Sequence, residues 1–151
     1  MDLRNDRVFY DLLAESFERL THQPLVLQEI SPDDAPRWLY EDAPFGILAH
    51  NTAADPVFVY GNKTAQKRFE YSWEELTALP SRLSAEAPER SERQRFLEEV
   101  QQHGFVANYR GIRIAKSGKR FWIEDAIVWQ LTDADGVYRG QAAFLPRTLD
   151  V

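Results

Sequence analysis

Apolar and polar residues alternate along the last third of the chain in a pattern that predicts three consecutive β-strands. The runs at 109–114, 121–131 and 137–145 are rich in aromatic and β-branched residues. Short polar segments separate them, and each ends in or contains a glycine, Gly118 and Gly136, of the kind that a tight hairpin turn requires. The block therefore predicts three neighbouring antiparallel strands.

The first sixty residues predict a helix, a connector and a hairpin. Apolar residues recur at helical spacing after a candidate cap at Asp6 or Asn5: Phe9, Leu12, Leu13, Phe17 and Leu20. The stretch 24–44 carries four prolines, so we expect an irregular connector with one short helical turn at 34–40. The β-favouring runs 45–49 and 57–60 flank a polar turn and predict a hairpin.

Capping residues predict three helices in the middle of the chain. Asn62 offers a side-chain cap for a helix that continues to Phe69, and Ser72 begins a capping box for a second short helix. A further box at Ser91 predicts the start of a longer helix that ends at Gly104. Its apolar face consists of Phe96, Leu97 and Val100.

This order of elements predicts an α+β fold, because amphipathic helices must cover the apolar face of a sheet. We expect a five-stranded antiparallel sheet with helices on one face and a leading amphipathic helix. Residues 1–40 form the N-terminal helix and connector in this interpretation, and residues 41–147 form the main domain.

Composition narrows the classes of function. The 151 residues include 18 basic and 24 acidic side chains, a net charge of −6, which disfavours binding to nucleic acid or to an anionic membrane. No cysteine is present, which excludes disulfides and thiolate chemistry. The three histidines lack metal-ligand spacing, and no apolar segment approaches the ~20 residues of a membrane span. We expect a cytoplasmic protein with no metal site.

Several segments resemble known families. Val-Tyr-Gly-Asn-Lys-Thr-Ala at 59–65 and the segment 71–76 resemble the PAS fold at the exit from its second strand. A second resemblance lies at 54–56, 79–86, 109–121, 128–129 and 140–143. In these segments the chain is similar to bacterial members of the PAS-related MEKHLA family. This resemblance implies a sensory or protein-interaction module, which either holds a small molecule between sheet and helices or dimerises.

Alternation along the second of the three predicted strands assigns its side chains to two opposite faces. Phe121, Ile123, Asp125, Ile127 and Trp129 would share one face. Asp125 then interrupts an apolar row, so we expect a buried acid that pairs with Arg113 or Arg110 or else contacts a ligand. Glu124 would point to the opposite face, which excludes a paired acid–base dyad with Asp125.

The candidate ligand site combines aromatic side chains with a few polar groups, as small-molecule sites do. Gln141 stands among small residues that leave space over a sheet, and its amide can select a polar ligand edge. Trp129 is either a stacking surface or a core residue. The full set of predicted ligand contacts is Phe58, Tyr60, Asn62, Phe69, Arg82, Leu83, Tyr109, Arg113, Asp125, Trp129 and Gln141.

A polar cluster precedes the longest helix. Its arginines suit carboxylate or phosphate groups, so the segment is either a lid over a pocket or a solvated loop with internal ion pairs. The cluster consists of Arg82, Ser84, Glu86, Arg90 and Arg93.

Two further hypotheses concern partners and cofactors. The first is a homodimer, or a complex with a partner protein, through Phe9, Leu13, Phe17 and Leu20 of the leading helix. The second is a haem or flavin sensor, with His103 as a candidate axial ligand, although the first expectation is that no cofactor is bound. We predict no catalytic activity, because neither a nucleophile nor a metal accompanies Glu124 or Asp125.

Overall fold

The computed structural model describes residues 2–85 and 87–151, apart from the side chains of residues 87–90 and 93. The described chain forms five α-helices, one 3-10 turn and six strands. They follow in the order α1 (Arg7–Thr21), α2 (Ala35–Glu41), β1 (Gly46–His50), β2 (Phe58–Gly61), α3 (Lys63–Phe69), α4 (Trp73–Leu76), the 3-10 turn (Ser81–Ser84), α5 (Ala87–His103), β3 (Phe105–Ile114), β4 (Arg120–Thr132), β5 (Tyr138–Leu145) and β6 (Arg147–Asp150).

The strands form one antiparallel sheet in the order β2-β1-β5-β4-β3. The predicted α+β class and the five-stranded sheet are confirmed. A sixth strand, β6, was not predicted, and it extends the line of β5 along the same edge of β4 beyond Pro146. The early hairpin and the C-terminal strands thus join through β1 and β5, from Gly46 opposite Leu145 to His50 opposite Gln141.

Helices cover both faces of the sheet. We call the face covered by α3, α4, the 3-10 turn and α5 the inner face, since the middle helices were predicted to lie there. Phe69, Leu76 and Val100 are buried on this side. The opposite, outer face is covered by α1 and α2, whose Leu13 and Leu39 share a core with strand residues. The sheet therefore separates two apolar cores.

Aromatic contacts and a buried hydrogen bond hold helix α1 against the outer face. The rings of Phe17 and Trp129 meet edge to face, with centroids 4.9 Å apart, a geometry worth about 0.5–1.5 kcal/mol beyond the buried area. The Trp129 indole N–H donates to Ser16 Oγ over 3.0 Å. Asp6 caps the helix by accepting from the backbone N–H of Phe9, as predicted.

Two compensating β-bulges lie where β3 pairs with β4. One falls in β3 around Asn108 (φ +57°), between Val106 and Tyr109, and the other in β4 around Asp125 (φ +54°). Each bulge adds one residue to its own strand, so the pairing register is the same before the first bulge and after the second. The side chains of β4 therefore change faces at Asp125.

The predicted faces of β4 are wrong beyond this bulge. Phe121 and Ile123 point to the inner face, as do Ala126 and Val128, whereas Trp129 points to the outer face. Asp125 is also not a buried acid. It is exposed and pairs with Arg147 at 2.5 Å, whereas Arg110 pairs with Glu124 at 2.8 Å. The prediction assumed strict alternation along β4, and the extra residue at the bulge shifts the alternation by one position.

The helix boundaries follow local capping chemistry with one exception. Asn62 caps α3, and Ser72 with Glu75 forms the predicted capping box of α4. The predicted start of α5 at Ser91 is wrong, because the helix begins at Ala87, before the box. Pro88 stands in the first turn, where a helix tolerates proline since that N–H has no intrahelical partner.

Asn62 is a structural junction as well as a cap. Its side-chain oxygen accepts from the N–H groups of Ile47 and Ala65 at 3.0 and 3.1 Å, and its amide nitrogen donates to the carbonyls of Leu39 and Phe45 at 3.0 and 2.9 Å. This fully buried amide ties β1 and α3 to the end of α2 and the turn that follows it.

The bulge in β4 predicts a specific response to substitution at Asp125. Asp125→Val should lower the free energy of unfolding by about 1–2 kcal/mol, because a β-branched residue is strained at positive φ. Asp125→Asn should change it by less than about 1 kcal/mol, since asparagine tolerates this conformation and an exposed ion pair contributes little. Urea denaturation followed by circular dichroism measures both, and equal losses would contradict the assigned bulge.

Candidate functional site

A cavity of about 50 Å³ lies on the inner face, between the sheet and α3, the 3-10 turn and α5. Most of its lining is apolar, and the polar side chains that reach it are His50, Ser84, Arg113 and Gln141. The apolar lining consists of Leu48, Ala49, Phe58, Phe69, Phe96, Leu97, Ile123, Val128, Ala142, Ala143 and Leu145. Such a wall with a few polar groups is typical of a small-molecule site.

Arg113 of β3 places a guanidinium in this apolar wall. The residue is only 7% exposed. It donates to the carbonyl of Ile112 at 2.8 Å and to the Tyr109 hydroxyl at 3.5 Å. Within the described part of the chain, no carboxylate forms an ion pair with it. The predicted pairing with Asp125 is wrong, because that carboxylate binds Arg147.

Tyr109 supports Arg113 from beside the cavity. Its ring stacks on Phe96 of α5, with centroids 3.8 Å apart, and lies 5.6 Å from the Arg113 guanidinium carbon. The ring lies along β3 over Gly111, where an added Cβ would be 2.6 Å from the Tyr109 hydroxyl oxygen. Gly111 therefore leaves the space that this arrangement needs.

A row of polar side chains crosses the sheet at one end of the cavity. His50 of β1, Gln141 of β5 and Gln130 of β4 are direct cross-strand neighbours. Gln130 donates to the carbonyl of Gln101 in α5 at 3.0 Å, and His50 Nδ1 lies 2.9 Å from the Asn51 carbonyl oxygen. This row links the β1 edge of the cavity to α5.

Gln141, in the middle of this row, keeps a free acceptor. The residue is 5% exposed, and among the described residues no donor reaches its side-chain oxygen Oε1. Partial burial raises the pKa of the neighbouring Tyr138 phenol, and a side-chain hydrogen bond with Gln141 opposes that shift. A buried acceptor without a donor favours a ligand or water that supplies one.

Four of the predicted ligand residues come together in the cavity: Phe58, Phe69, Arg113 and Gln141. Tyr109 lies next to it through Arg113. Two positions lie on the outer face instead, Tyr60 against Phe9 and Tyr40, and Trp129 against Phe17. Burial there raises the pKa of the Tyr60 phenol far above its usual value.

The other predicted positions lie apart from the cavity. The polar atoms of Asn62 are engaged in backbone hydrogen bonds, Asp125 is exposed on the bulge, and Leu83 is half-buried outside the lining. Arg82 is exposed, and it pairs at 3.1 Å with Asp55 of the β1–β2 turn, which is not one of the acids of the predicted loop. Ser84 is buried and lines the cavity. Glu86 and the side chains of Arg90 and Arg93 lie outside the described residues.

The residues predicted for a dimer interface pack within the chain's own outer core. Phe9, Leu13 and Phe17 are buried against the sheet, and Leu20 is half-buried beside Gly104. Their side chains are therefore already covered when α1 is docked.

Sequence reasoning missed several cavity residues, and some of them carried a usable signal. Phe96 and Leu97 stood on the predicted apolar face of α5, which had to meet the sheet. His50 follows Leu48 at a spacing of two, so strand alternation places both on one face. Val128 gave no such signal, because the bulge at Asp125 reverses its face.

The fold is that of PAS domains. The PAS domain of a protein from Colwellia psychrerythraea is similar at a TM-score of 0.59 and 16% identity, over 74% of this chain and 90% of that chain. The photo-excited blue-light photoreceptor Vivid is similar at 0.59 and 14%, over 88% and 92%. An RNA-binding light-oxygen-voltage receptor is similar at 0.62 and 20%, over 85% of this chain but only 35% of that longer one.

A family model identifies the chain more closely. The MEKHLA domain model matches residues 7–148, which is most of the chain, so the protein belongs to the MEKHLA family, as its sequence indicated. No curated protein matches the chain. None of the helices in the described residues combines the length and apolar character needed to cross a bilayer.

The backbones of β5 and β1 approach closely beside Gln141, and this contact predicts how an added methyl group at Gly140 changes stability. Gly140 has a φ of +133°, and a Cβ there would lie 2.1 Å from the His50 carbonyl oxygen. Gly140→Ala should therefore lower the free energy of unfolding by about 3 kcal/mol or more, from backbone strain and overpacking combined.

Gly136→Ala is the matched control. Its φ of +78° is also positive, but an added Cβ meets no atom within 4 Å, so we expect a loss of only about 1–2 kcal/mol. Thermal and urea denaturation of the two variants give the comparison. A loss for Gly140→Ala no larger than for Gly136→Ala would contradict the close approach.

Proposed function

We propose that this protein is a cytoplasmic, non-catalytic sensory module that binds a small molecule in the inner cavity. The observation that carries the proposal is an apolar cavity with two buried polar groups, Arg113 and Gln141, that have unused hydrogen-bonding capacity. Membership of a PAS-related family supports a sensory role. The similar light-oxygen-voltage proteins are receptors, which agrees with this class of function.

The size of the cavity limits the ligand. One water molecule needs about 10–15 Å³ of such space, so the 50 Å³ of the cavity holds about four waters or a compact molecule of about four to six non-hydrogen atoms. The ligand of this proposal is therefore a small metabolite rather than a large cofactor.

Neither flavin nor haem fits the residues present. Drug-sized ligands occupy pockets of about 300–1,000 Å³, far above the 50 Å³ of this cavity. His103, the candidate haem ligand, is exposed at the end of α5 and does not line the cavity. No cysteine is available for a thiol adduct with a flavin. The proposal therefore includes neither cofactor.

A homodimer through α1 receives less support than ligand binding. The four residues that would form it lie against the chain's own sheet or beside Gly104, so such a dimer needs α1 to leave the outer face. Binding of a partner protein elsewhere on the surface does not require α1 to leave the outer face.

Filling the cavity tests the proposal. Ala143 lies between Leu48 and Val128 on the inner face, so Ala143→Leu directs a side chain into the cavity. We expect this variant to abolish ligand binding at a cost of about 1–3 kcal/mol in stability. Saturation-transfer NMR with a set of small organic acids, amides, alcohols and amines measures binding, and native mass spectrometry detects any molecule retained on purification.

The control is Ala54→Leu, which adds the same side chain at an exposed position of the β1–β2 turn. This variant should bind like the wild type. If no compound in the set binds and native mass spectrometry gives only the bare chain mass, the proposal fails. It also fails if Ala143→Leu, shown to be folded by circular dichroism, binds as well as the wild type.

A further inference from the structure

The most unusual group in the inner cavity is the buried guanidinium of Arg113. Burial of a cation is costly unless a carboxylate and hydrogen bonds compensate for the lost hydration. Of its five N–H donors, two bind the Ile112 carbonyl and the Tyr109 hydroxyl. Neither acceptor is charged, and the part of the chain that the structure describes provides no anion.

Three other arginines of the sheet behave differently. Arg110, three residues earlier on the same strand, lies on the opposite face and pairs with Glu124 at 2.8 Å. Arg147 pairs with Asp125, and Arg139 pairs with Asp133 at 3.0 Å. These three are exposed arginines with carboxylate partners, whereas the buried one has none among the described residues.

The other groups around the cavity could contact the hydrocarbon chain and the polar hydrogens of a small ligand. Phe69, Phe96 and Val128 offer an apolar wall to a short hydrocarbon chain. Ser84 donates its hydroxyl hydrogen to the Ser81 carbonyl at 2.7 Å, so its oxygen remains an acceptor. Gln141 Oε1 is a second acceptor and requires a hydroxyl or N–H donor.

We infer that the inner cavity binds a small aliphatic carboxylate, of about four to six non-hydrogen atoms, through an ion pair with Arg113. This inference rests on the proposed ligand-binding function and names the chemical class of the ligand. A planar carboxylate accepts two parallel hydrogen bonds from a guanidinium, which gives both charge neutralisation and orientation.

Ligand size also sets the expected affinity. Even the best ligands of about five non-hydrogen atoms bind no more tightly than a dissociation constant of about 3 µM. Millimolar ligand is therefore the correct range for the experiment.

The test compares each acid with its uncharged amide. Propionate with propionamide, and isobutyrate with isobutyramide, have nearly the same size and shape and differ in charge. Titration calorimetry or ligand-observed NMR with the full chain should show each acid binding at least about tenfold more tightly than its amide, because hydrogen bonds to charged groups are the stronger ones.

Two arginine variants assign that preference to one side chain. Arg113→Met keeps most of the aliphatic volume but removes the charge, and it should reduce acid binding at least about tenfold while leaving amide binding within about threefold. Arg110→Met makes the same change on the outer face and should bind both ligands like the wild type.

Stability without ligand provides an independent readout. If the buried cation is compensated only when a ligand is bound, removing it should not destabilise the ligand-free protein. Arg113→Met should then unfold at the same or a higher urea concentration than the wild type. A lower midpoint would show that Arg113 has a structural role and would overturn the inference. Added propionate should raise the midpoint of the wild type and not that of Arg113→Met.

Each binding outcome has one meaning. Acid preference that disappears in Arg113→Met supports the inference. Amides that bind as tightly as acids overturn the inference but leave the proposed ligand-binding function intact. Failure of both acids to bind also overturns it, and the broader compound set with Ala143→Leu then decides the proposed function separately.

Discussion

The pair of β-bulges at Asn108 and Asp125 is the constraint on which both cores of this protein depend. Because β4 changes faces at Asp125, Phe121 and Val128 both line the inner side although they are seven positions apart, a spacing that puts residues of a regular strand on opposite faces. The same change turns Trp129 toward α1, where it bonds Ser16 and meets Phe17. An unbulged strand would bury polar side chains on one face or expose Trp129. Two exposed residues at positive φ thus decide which side chains meet each layer of helices.

The inner cavity combines two requirements that usually oppose each other. Its apolar wall offers few polar groups, which strengthens any electrostatic interaction beside it, but it also makes the isolated guanidinium of Arg113 costly. The protein limits that cost with the Tyr109 hydroxyl and the Ile112 carbonyl, both neutral acceptors on the same strand. In the carboxylate site inferred above, this cost to the empty state would favour an anion over a neutral molecule, because only an anion compensates for the charge.

Much of this architecture could be predicted from the sequence, and the failures have physical causes. The glycine turns, the apolar spacing of α1 and the caps at Asn62 and Ser72 are local signals, so they identified the elements correctly. Gln141 was predicted because small residues flank it, whereas Arg113 was named as a candidate partner of Asp125, a pairing that the structure does not contain. Trp129 and Asp125 were misplaced because a bulge at a non-glycine residue leaves no local signature, and β6 was missed because four residues after Pro146 carry no distinctive pattern. Asn62 shows a further limit, since its buried hydrogen bonds join segments far apart in sequence.

The contact between Tyr109 and Gly111 has an evolutionary consequence. An aromatic ring can lie along β3 between Phe96 and Arg113 only if the residue two positions later has no side chain, because a Cβ there would meet the phenol. The two positions are therefore coupled: relatives with a larger residue at position 111 should carry a small residue at position 109. In such relatives the guanidinium would lose its hydroxyl partner, and the cavity would present a different set of polar groups.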